Sequence, residues 1–370
     1  MIERNRPYTP WYQPDYAQSD IPARILCGEF GRRHRMRIWQ GIPAMEIARD
    51  GTEYAAWYSG GQTEGQDNFV LLARRRPGGE WQIPWRIAEC VEGIRAFDSA
   101  LWIDPVGRLH WFWTQASMLF DAREGVWEAV CENPEAESAE FSAPRRLCDG
   151  LMLNKPTVLA DGRWLYTVAR TAPRMFRVLG MENASRKTRV QVWQSIDGGT
   201  TVEFLGETAT ENTDFGEHML YERRDGGLVM LVRARPELLK SVSADGGRTW
   251  TEPAPSGIPS PCSRFFLRRL ASGMLLMVNH ETADPVRSRL CAKLSSDDGQ
   301  TWSQPLMLDA RRGVSYPDGK QTEDGRIHVI YDHDRYDAME ILTACFTEEE
   351  ILAGSVSMTG SFLAEMVDRS

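Results

Sequence analysis

Ser243 to Trp250 reads SADGGRTW and Ser295 to Trp302 reads SSDDGQTW, two copies of Ser-x-Asp-x-Gly-x-Thr-Trp. Ser195 to Val202, SIDGGTTV, repeats everything except the tryptophan. Each copy has the chemistry of a tight hairpin turn. Asp245 and Asp297 can fold back onto backbone N–H groups of their own turn. Gly247 and Gly299 supply the positive φ that such a turn needs, and the tryptophan brings a large ring to bury between neighbouring sheets. The copies start at residues 195, 243 and 295, hence 48 and 52 residues apart, the length of one four-stranded propeller blade. The repeat is structural; its aspartates serve the turn.

A second repeat runs through the whole chain. Asp50-Gly51, Asp104-Pro105-Val106-Gly107, Asp161-Gly162, Asp225-Gly226, Ser272-Gly273 and Asp324-Gly325 each separate two β-rich segments. The segments that follow, EYAAWY, RLHWFWT, RWLYTVA, GLVMLVR, MLLMVNH and RIHVIYD, are rich in aromatic, β-branched and aliphatic residues. Six such turns predict a single all-β domain over residues 1–370, a six-bladed β-propeller of four-stranded antiparallel blades. The expected blades span residues 36–90, 94–148, 150–207, 213–255, 262–308 and 313–366. The Ser/Asp turns fall between the third and fourth strands of a blade. In the first blade that place is taken by Pro77-Gly78-Gly79-Glu80-Trp81, and in the second by the stretch Ala122 to Trp127. Ala23 to Phe30, within residues 23–35, is expected to close the ring by joining the last blade, since an open ring exposes sheet edges. Thr347 to Ala353 is expected to form one short helix.

Composition narrows the function. A formal net charge of −9 argues against a nucleic-acid or anionic-membrane partner. No apolar run approaches the roughly 18 residues that span a bilayer, and the polar, Pro-rich start of the chain has no apolar core of a secretory leader, so a cytoplasmic location is expected. The seven cysteines are scattered without metal spacing and read as reduced, mostly buried thiols. No cofactor and no metal is expected; Asp332, His333 and Asp334 are poor joint ligands, because neighbours on a strand point to opposite faces.

In a propeller the first strand of each blade lines the central channel, and the loops at one mouth carry function. Counting about eight residues back from each Gly turn, at ~3.3 Å per residue, reaches that mouth. The count lands near Ile42, Asp98, Asn154-Lys155, Glu217-His218, Arg264 and Tyr316-Pro317-Asp318. A similar step forward along each second strand returns there, at Gly60 to Glu64, Gln115, Arg170, Arg233-Ala234-Arg235, His280-Glu281 and Asp332 to Arg335.

With these residues in place, the chain resembles the sialidase (neuraminidase) superfamily over almost its full length. Arg287-Ser288-Arg289-Leu290, ahead of Ser295, is similar to the R-x-x-L lead into a sialidase Asp box. The resemblance implies that Arg287 and Arg233 belong to an arginine triad gripping a substrate carboxylate. It also implies that Tyr316 is the nucleophile and Glu217 the glutamate that activates it. Two departures stand out. The Arg-Ile-Pro hallmark reads Gly41-Ile42-Pro43, so one triad arginine is absent from its place. The loop that carries the acid aspartate in that family reads Gly60 to Asp67, with Glu64 or Asp67 as the substitutes it offers.

A tyrosine nucleophile has a physical reason. The anomeric carbon of a sialic acid bears its own carboxylate, which repels an attacking Asp or Glu but not a phenol deprotonated by a neighbouring base. Candidates for the acid are Glu64, Asp98 and Asp67, in that order. Arg233 and Arg287 would present planar forks to the carboxylate, although an ion pair of Arg233 with Asp318 is the alternative. Lys155 either adds the missing cation or pairs with Asp98, and Arg264 has the same two readings. His333, flanked by acids, completes the substrate-side candidates. The expected activity is an exo-acting glycoside hydrolase releasing a terminal acidic sugar from an oligosaccharide or glycoside with retention. A propeller enzyme of rhamnosidase or uronate lyase type, or a non-catalytic glycan-binding propeller, remains open beside it.

Overall fold

The computed structural model describes residues 20–28, 30–65, 67–117, 124–170, 187–211, 213 and 215–370. Six antiparallel sheets follow one another along the chain. The first contains β2 (Gln40–Ile47), β3 (Glu53–Ser59), β4 (Phe69–Arg75) and β5 (Gln82–Glu89), joined by the outlying β1 (Arg24–Leu26). The second is β6 (Arg95–Ile103), β7 (Leu109–Ala116), β8 (Gly125–Cys131) and β9 (Arg145–Asp149). The third is β10 (Thr157–Val158), β11 (Trp164–Arg170), β12 (Thr188–Ser195) and β13 (Glu203–Thr210). Then come β14 (His218–Glu222), β15 (Leu228–Val232), β16 (Glu237–Ser243) and β17 (Ala254–Pro259). The fifth has β18 (Phe266–Arg269), β19 (Leu275–His280), β20 (Leu290–Ser295) and β21 (Leu306–Asp309). The sixth has β22 (Val314–Gln321), β23 (Ile327–His333), β24 (Glu340–Phe346) and β25 (Phe362–Arg369). The sheets are the blades of a six-bladed propeller, and each of the six Gly turns joins the first two strands of its blade.

Among the described residues the helices are short: α1 (Arg32–Arg35) and α2 (Glu348–Ala353). The second is the helix expected from Thr347 to Ala353. Thr347 caps it, its hydroxyl accepting from the Glu350 N–H while Glu350 returns a bond to the Thr347 N–H. No described helix is long and apolar enough to cross a membrane.

The Ser/Asp turns do what their residue types demand. Asp245 Oδ1 accepts from the N–H groups of Arg248 and Thr249, and Oδ2 from the Thr249 hydroxyl at 2.6 Å. Asp297 repeats the pattern, and the Thr301 hydroxyl and N–H hold its carboxyl down at about 2. Gly247 and Gly299 have φ of 98° and 78°. Trp250 and Trp302 are partly buried against the cores of their blades. An arginine of the preceding blade docks on each turn: Arg108 on the Gly198 carbonyl, Arg163 on that of Gly246, and Arg224 on that of Ser296. The turns therefore fasten blade to blade at the end of the channel where the Gly turns lie.

Two expectations about the edges are corrected. Residues 24–26 do not join the last blade; they pair with β5, Arg24 opposite Glu89 and Leu26 opposite Ile87. The last blade already has a fourth strand of its own, β25, and so offers no vacancy. Closure comes instead from side chains between blades six and one. Asp332 accepts from the Ile42 N–H at 2.7 Å, Asp318 from the Met45 N–H at 2.9 Å, and Arg37 pairs with Asp368 at 2.9 Å. The second blade's turn between its third and fourth strands is also elsewhere. Gly125 to Trp127 open the third strand itself, and the hairpin lies between Cys131 and Arg145; Ala122 and Arg123 fall outside the described residues. Val126 and Trp127 there are buried strand residues, with nothing left over to turn.

Candidate active site

Three inner strands carry a bulge at the mouth of the channel. Register slips occur between Gly41 and Ala44, between Phe97 and Ala100, and between Ser315 and Asp318. At each bulge one non-glycine residue adopts a left-handed conformation: Ile42 at φ 61°, Asp98 at 51° and Tyr316 at 52°. Bulges of this kind re-aim a side chain and are held against their strain by the packing around them. The channel count lands on all three, and two of them, Asp98 and Tyr316, carry titratable side chains.

Tyr316 is buried, with its hydroxyl in a triangle of short bonds. Its O–H donates to Glu217 Oε1 at 2.9 Å, while Arg233 Nη1 donates to that same oxygen at 2.6 Å and to the Tyr316 oxygen at 2.7 Å. Tyr316 comes from β22, Glu217 from the head of the fourth blade, and Arg233 from the residue just past β15. The Arg233 N–H donates to the Glu217 carbonyl at 2.8 Å, which fixes the two residues side by side. Burial raises the phenol above its ordinary range, and the charges of Arg233, Arg287 and Arg335 oppose that rise. Burial also disfavours the Arg233 charge, but Glu217 and Tyr316 hold its proton well above the usual range.

Further guanidinium groups surround the same ring. The centre of Arg335 lies 4.2 Å from the Tyr316 centroid, that of Arg287 5.0 Å and that of Arg264 5.5 Å. Arg264 is fully buried and spent on carbonyls, donating to Leu153, Pro43 and Tyr316 itself, so it supports the ring from below. Arg287 is half-buried, with only long contacts of 3.5 Å to Ser315 Oγ and 3.4 Å to the Cys262 carbonyl.

Asp98 accepts no hydrogen bond from a described residue, and its carboxyl is pushed up to about 7. Burial is the main cause, followed by the negative charges of Glu64 and Glu217, against the pull of Arg95 and Arg264. A carboxyl that holds its proton near neutrality is placed to donate it. Glu64 is one-third exposed, 3.7 Å from Arg335 Nη1, and Asp67 is exposed. Burial and the raised carboxyl make Asp98 a stronger candidate for the acid than the more exposed Glu64.

The remaining candidates are not brought to the ring. Lys155 lies inside the channel, with its ammonium on the carbonyls of Met45 and Gly319 and on Glu46 Oε1, and 3.3 Å from Asp318. Its ion pair is with Glu46 and Asp318, not with Asp98. Burial alone would raise the Glu46 carboxyl, but Lys155 and Lys320 hold it below its usual range. Asp318 serves the same cluster, and the ion pair of Arg233 is with Glu217 rather than with Asp318. This cluster crosses the channel between the mouth and a cavity of about 750 Å3 at the opposite end, lined by the turns around Asp50, Asp104 and Asp324. Lys155→Met leaves two buried carboxylates short of a cation and should cost about 3 kcal/mol of stability. Thermal unfolding should show that loss with substrate KM unchanged; a raised KM at unchanged Tm would return Lys155 to the site. His333 is engaged by Glu340 at 2.7 Å on the β23–β24 pair.

Arg335 is the residue that sequence reasoning passed over, although it belongs to a stretch placed at the mouth. The signal was the glycine at position 41, where the resemblance leads one to look for an arginine.

A profile of the BNR repeat-like domain matches residues 51–329. The chain belongs to the BNR repeat-like family. No protein of curated function matches it in sequence. Among solved structures it is similar to the Hadza microbial sialidase Hz136, with a TM-score of 0.66 and 16% identity over 85% of this chain and 66% of that one. A protein of unknown function from Dyadobacter fermentans gives 0.63 at 14% identity, covering 88% of this chain and 98% of that one. The intramolecular trans-sialidase from Ruminococcus gnavus gives 0.62 at 12% identity, covering 85% and 95%. At such identities the likeness establishes the fold, a sialidase-like propeller, and the chemistry has to come from the site.

Proposed function

We propose that the protein is an exo-acting glycoside hydrolase that releases a terminal acidic sugar with retention, through a covalent intermediate on Tyr316. The observation that carries this reading is the Tyr316–Glu217–Arg233 triangle, a phenol donating to a buried carboxylate while one guanidinium touches both oxygens. The sialidase and trans-sialidase among the similar structures support it.

In the first step Tyr316 Oη forms a bond to the anomeric carbon and its proton passes to Glu217 Oε1. The bond from that carbon to the leaving oxygen breaks, and Asp98 gives the oxygen its proton. In the second step water adds to the same carbon. Asp98, now a carboxylate, takes the water's proton, the Tyr316–carbon bond breaks, and Glu217 returns the phenol proton. Arg233 stabilises negative charge on the phenol oxygen in both steps. Arg287, with no carboxylate partner among the described residues, is free to bind the sugar's acid group.

Fluorogenic sialoside, hexuronide and rhamnoside substrates test the reading together. Turnover of an acidic glycoside is expected, with retained configuration in the product; turnover of the rhamnoside alone, or of none, rejects it. Arg287→Lys keeps the charge but loses the planar fork, so kcat/KM on the acidic substrate should fall at least ~30-fold. A fall below about threefold would mean that the acid group is not held at Arg287.

A further inference from the structure

Gly41 is in contact with a side chain from another blade. A Cβ on residue 41 would lie 2.7 Å from Arg335 Cδ and 2.8 Å from its Cγ and Nε, closer than carbon atoms approach. Residue 41 is therefore bare because the stem of Arg335 crosses it. Arg335 is tied down along its length. Its Nε donates to Asp332 Oδ2 at 2.8 Å and its Nη2 to Ser315 Oγ at 3.0 Å. Asp332 is itself pinned by the Ser315 hydroxyl at 2.5 Å and the Ile42 N–H. Only Nη1 is left without a hydrogen bond to a described residue, and Glu64 stands 3.7 Å away from it.

Arg335 and Arg287 meet at one oxygen, because both approach Ser315 Oγ. Two guanidinium groups held beside a single hydroxyl, over the ring of Tyr316, repel each other unless an anion sits between them. Burial above all, with the charges of Arg233 and Arg335, loosens the hold of Arg287 on its proton, while Tyr316 and Glu217 oppose that. Asp332 compensates one side of Arg335, and Glu217 is already shared by Arg233 and Tyr316.

We infer that Arg335, reaching across Gly41 from the sixth blade, grips the carboxylate of the substrate together with Arg287. This rests on the glycosidase reading and deepens it, by naming the cation that replaces the arginine missing at position 41. The carboxylate lies between the free Nη1 of Arg335, aimed by the bonds to Asp332 and Ser315, and the planar fork of Arg287, which is free to adjust. The group recognised is an acid on the sugar ring, and a neutral sugar gains nothing from the pair.

Isothermal titration with free sialic acid, glucuronic acid and the methyl ester of each separates the outcomes. Arg335→Ala should weaken binding of the preferred acid at least ~30-fold and change binding of its ester less than about twofold. Arg335→Lys should recover only part of the loss, since an ammonium cannot keep the bonds to both Asp332 and Ser315 that aim the charge. Gly41→Arg alone should impair the protein, because the two side chains collide. The exchange Gly41→Arg with Arg335→Gly should bind the acid more tightly than either single variant. A variant that has merely lost its fold would lose acid and ester together. Wild-type protein that binds the acid, with Arg335→Ala binding it equally well, overturns this inference alone. Wild-type protein that neither binds an acidic sugar nor turns over an acidic glycoside overturns the glycosidase reading and this inference with it.

Discussion

Tyr316→Phe should lower kcat at least ~10³-fold while leaving the fold intact, because it removes the proposed attacking oxygen and only its bonds to Glu217 and Arg233. The ring is 5% exposed and keeps its neighbours, the guanidinium groups of Arg233, Arg264, Arg287 and Arg335. Glu217 loses one hydrogen bond but retains the short one from Arg233, so no charge is stranded. Circular dichroism and Tm should therefore match the wild type while turnover collapses. Substrate affinity should change little, since the proposed grip on the acid group is made by Arg287 and Arg335 and not by the phenol. A variant with wild-type turnover would take tyrosine out of the reaction. One with lost turnover and a Tm lowered by many degrees would show instead that the hydroxyl holds the mouth together.

The ring of blades was legible because its punctuation is local. An Asp-Gly or Ser-Gly pair between two apolar segments is dictated by backbone conformation at that spot, and Gly51, Gly162, Gly226 and Gly325 all take positive φ there. The Ser/Asp turns were legible for the same reason, since every bond that Asp245 makes is to a residue within four positions of it. Edge pairing was not local, and there the expectations failed. Nothing in Arg24 to Leu26 records that β25 has already filled the last blade, and Ala23 is tied to Gln115 of the second blade by a bond that sequence distance hides.

The site divides along the same line. Counting strand lengths back from the Gly turns placed Asp98, Glu217 and Tyr316 at the mouth, because rise per residue is nearly constant. It could not say which side chains turn inward. At Tyr316 that choice is made by the bulge, which pairs it with Arg233 and Glu217 of another blade, while Lys155 turns into the channel towards Glu46. Arg335 was hidden by composition as well as distance. It lies in Tyr331-Asp332-His333-Asp334-Arg335, where the flanking acids suggest a solvated loop, and its partner is a residue without a side chain.

Asp98→Asn should cost about 10²- to 10⁴-fold in kcat/KM on substrates whose leaving group needs a proton. On an aryl glycoside with a good leaving group the loss in the first step should be far smaller, because such a group departs without help. Asn tolerates the left-handed backbone that Asp98 adopts at φ 51°, so the substitution changes a proton and not a conformation. The pH dependence gives the sharper test. With the Asp98 carboxyl near 7, the acid is present below that pH and lost above it, so wild-type kcat/KM should decline on the alkaline side of neutrality. The same shift acts on stability. An unfolded Asp titrates near ~3.9, so the folded protein holds this proton more tightly. Stability present below pH ~4 is then lost as the pH rises through 7, to an extent on the order of 4 kcal/mol. Asp98→Asn cannot ionise and escapes that loss, so its Tm should equal the wild type's at pH 4 and exceed it at pH 8. A variant that loses activity, keeps the alkaline decline on an aryl substrate and shows no Tm advantage at pH 8 would assign the proton to another group, with Glu64 the next to test.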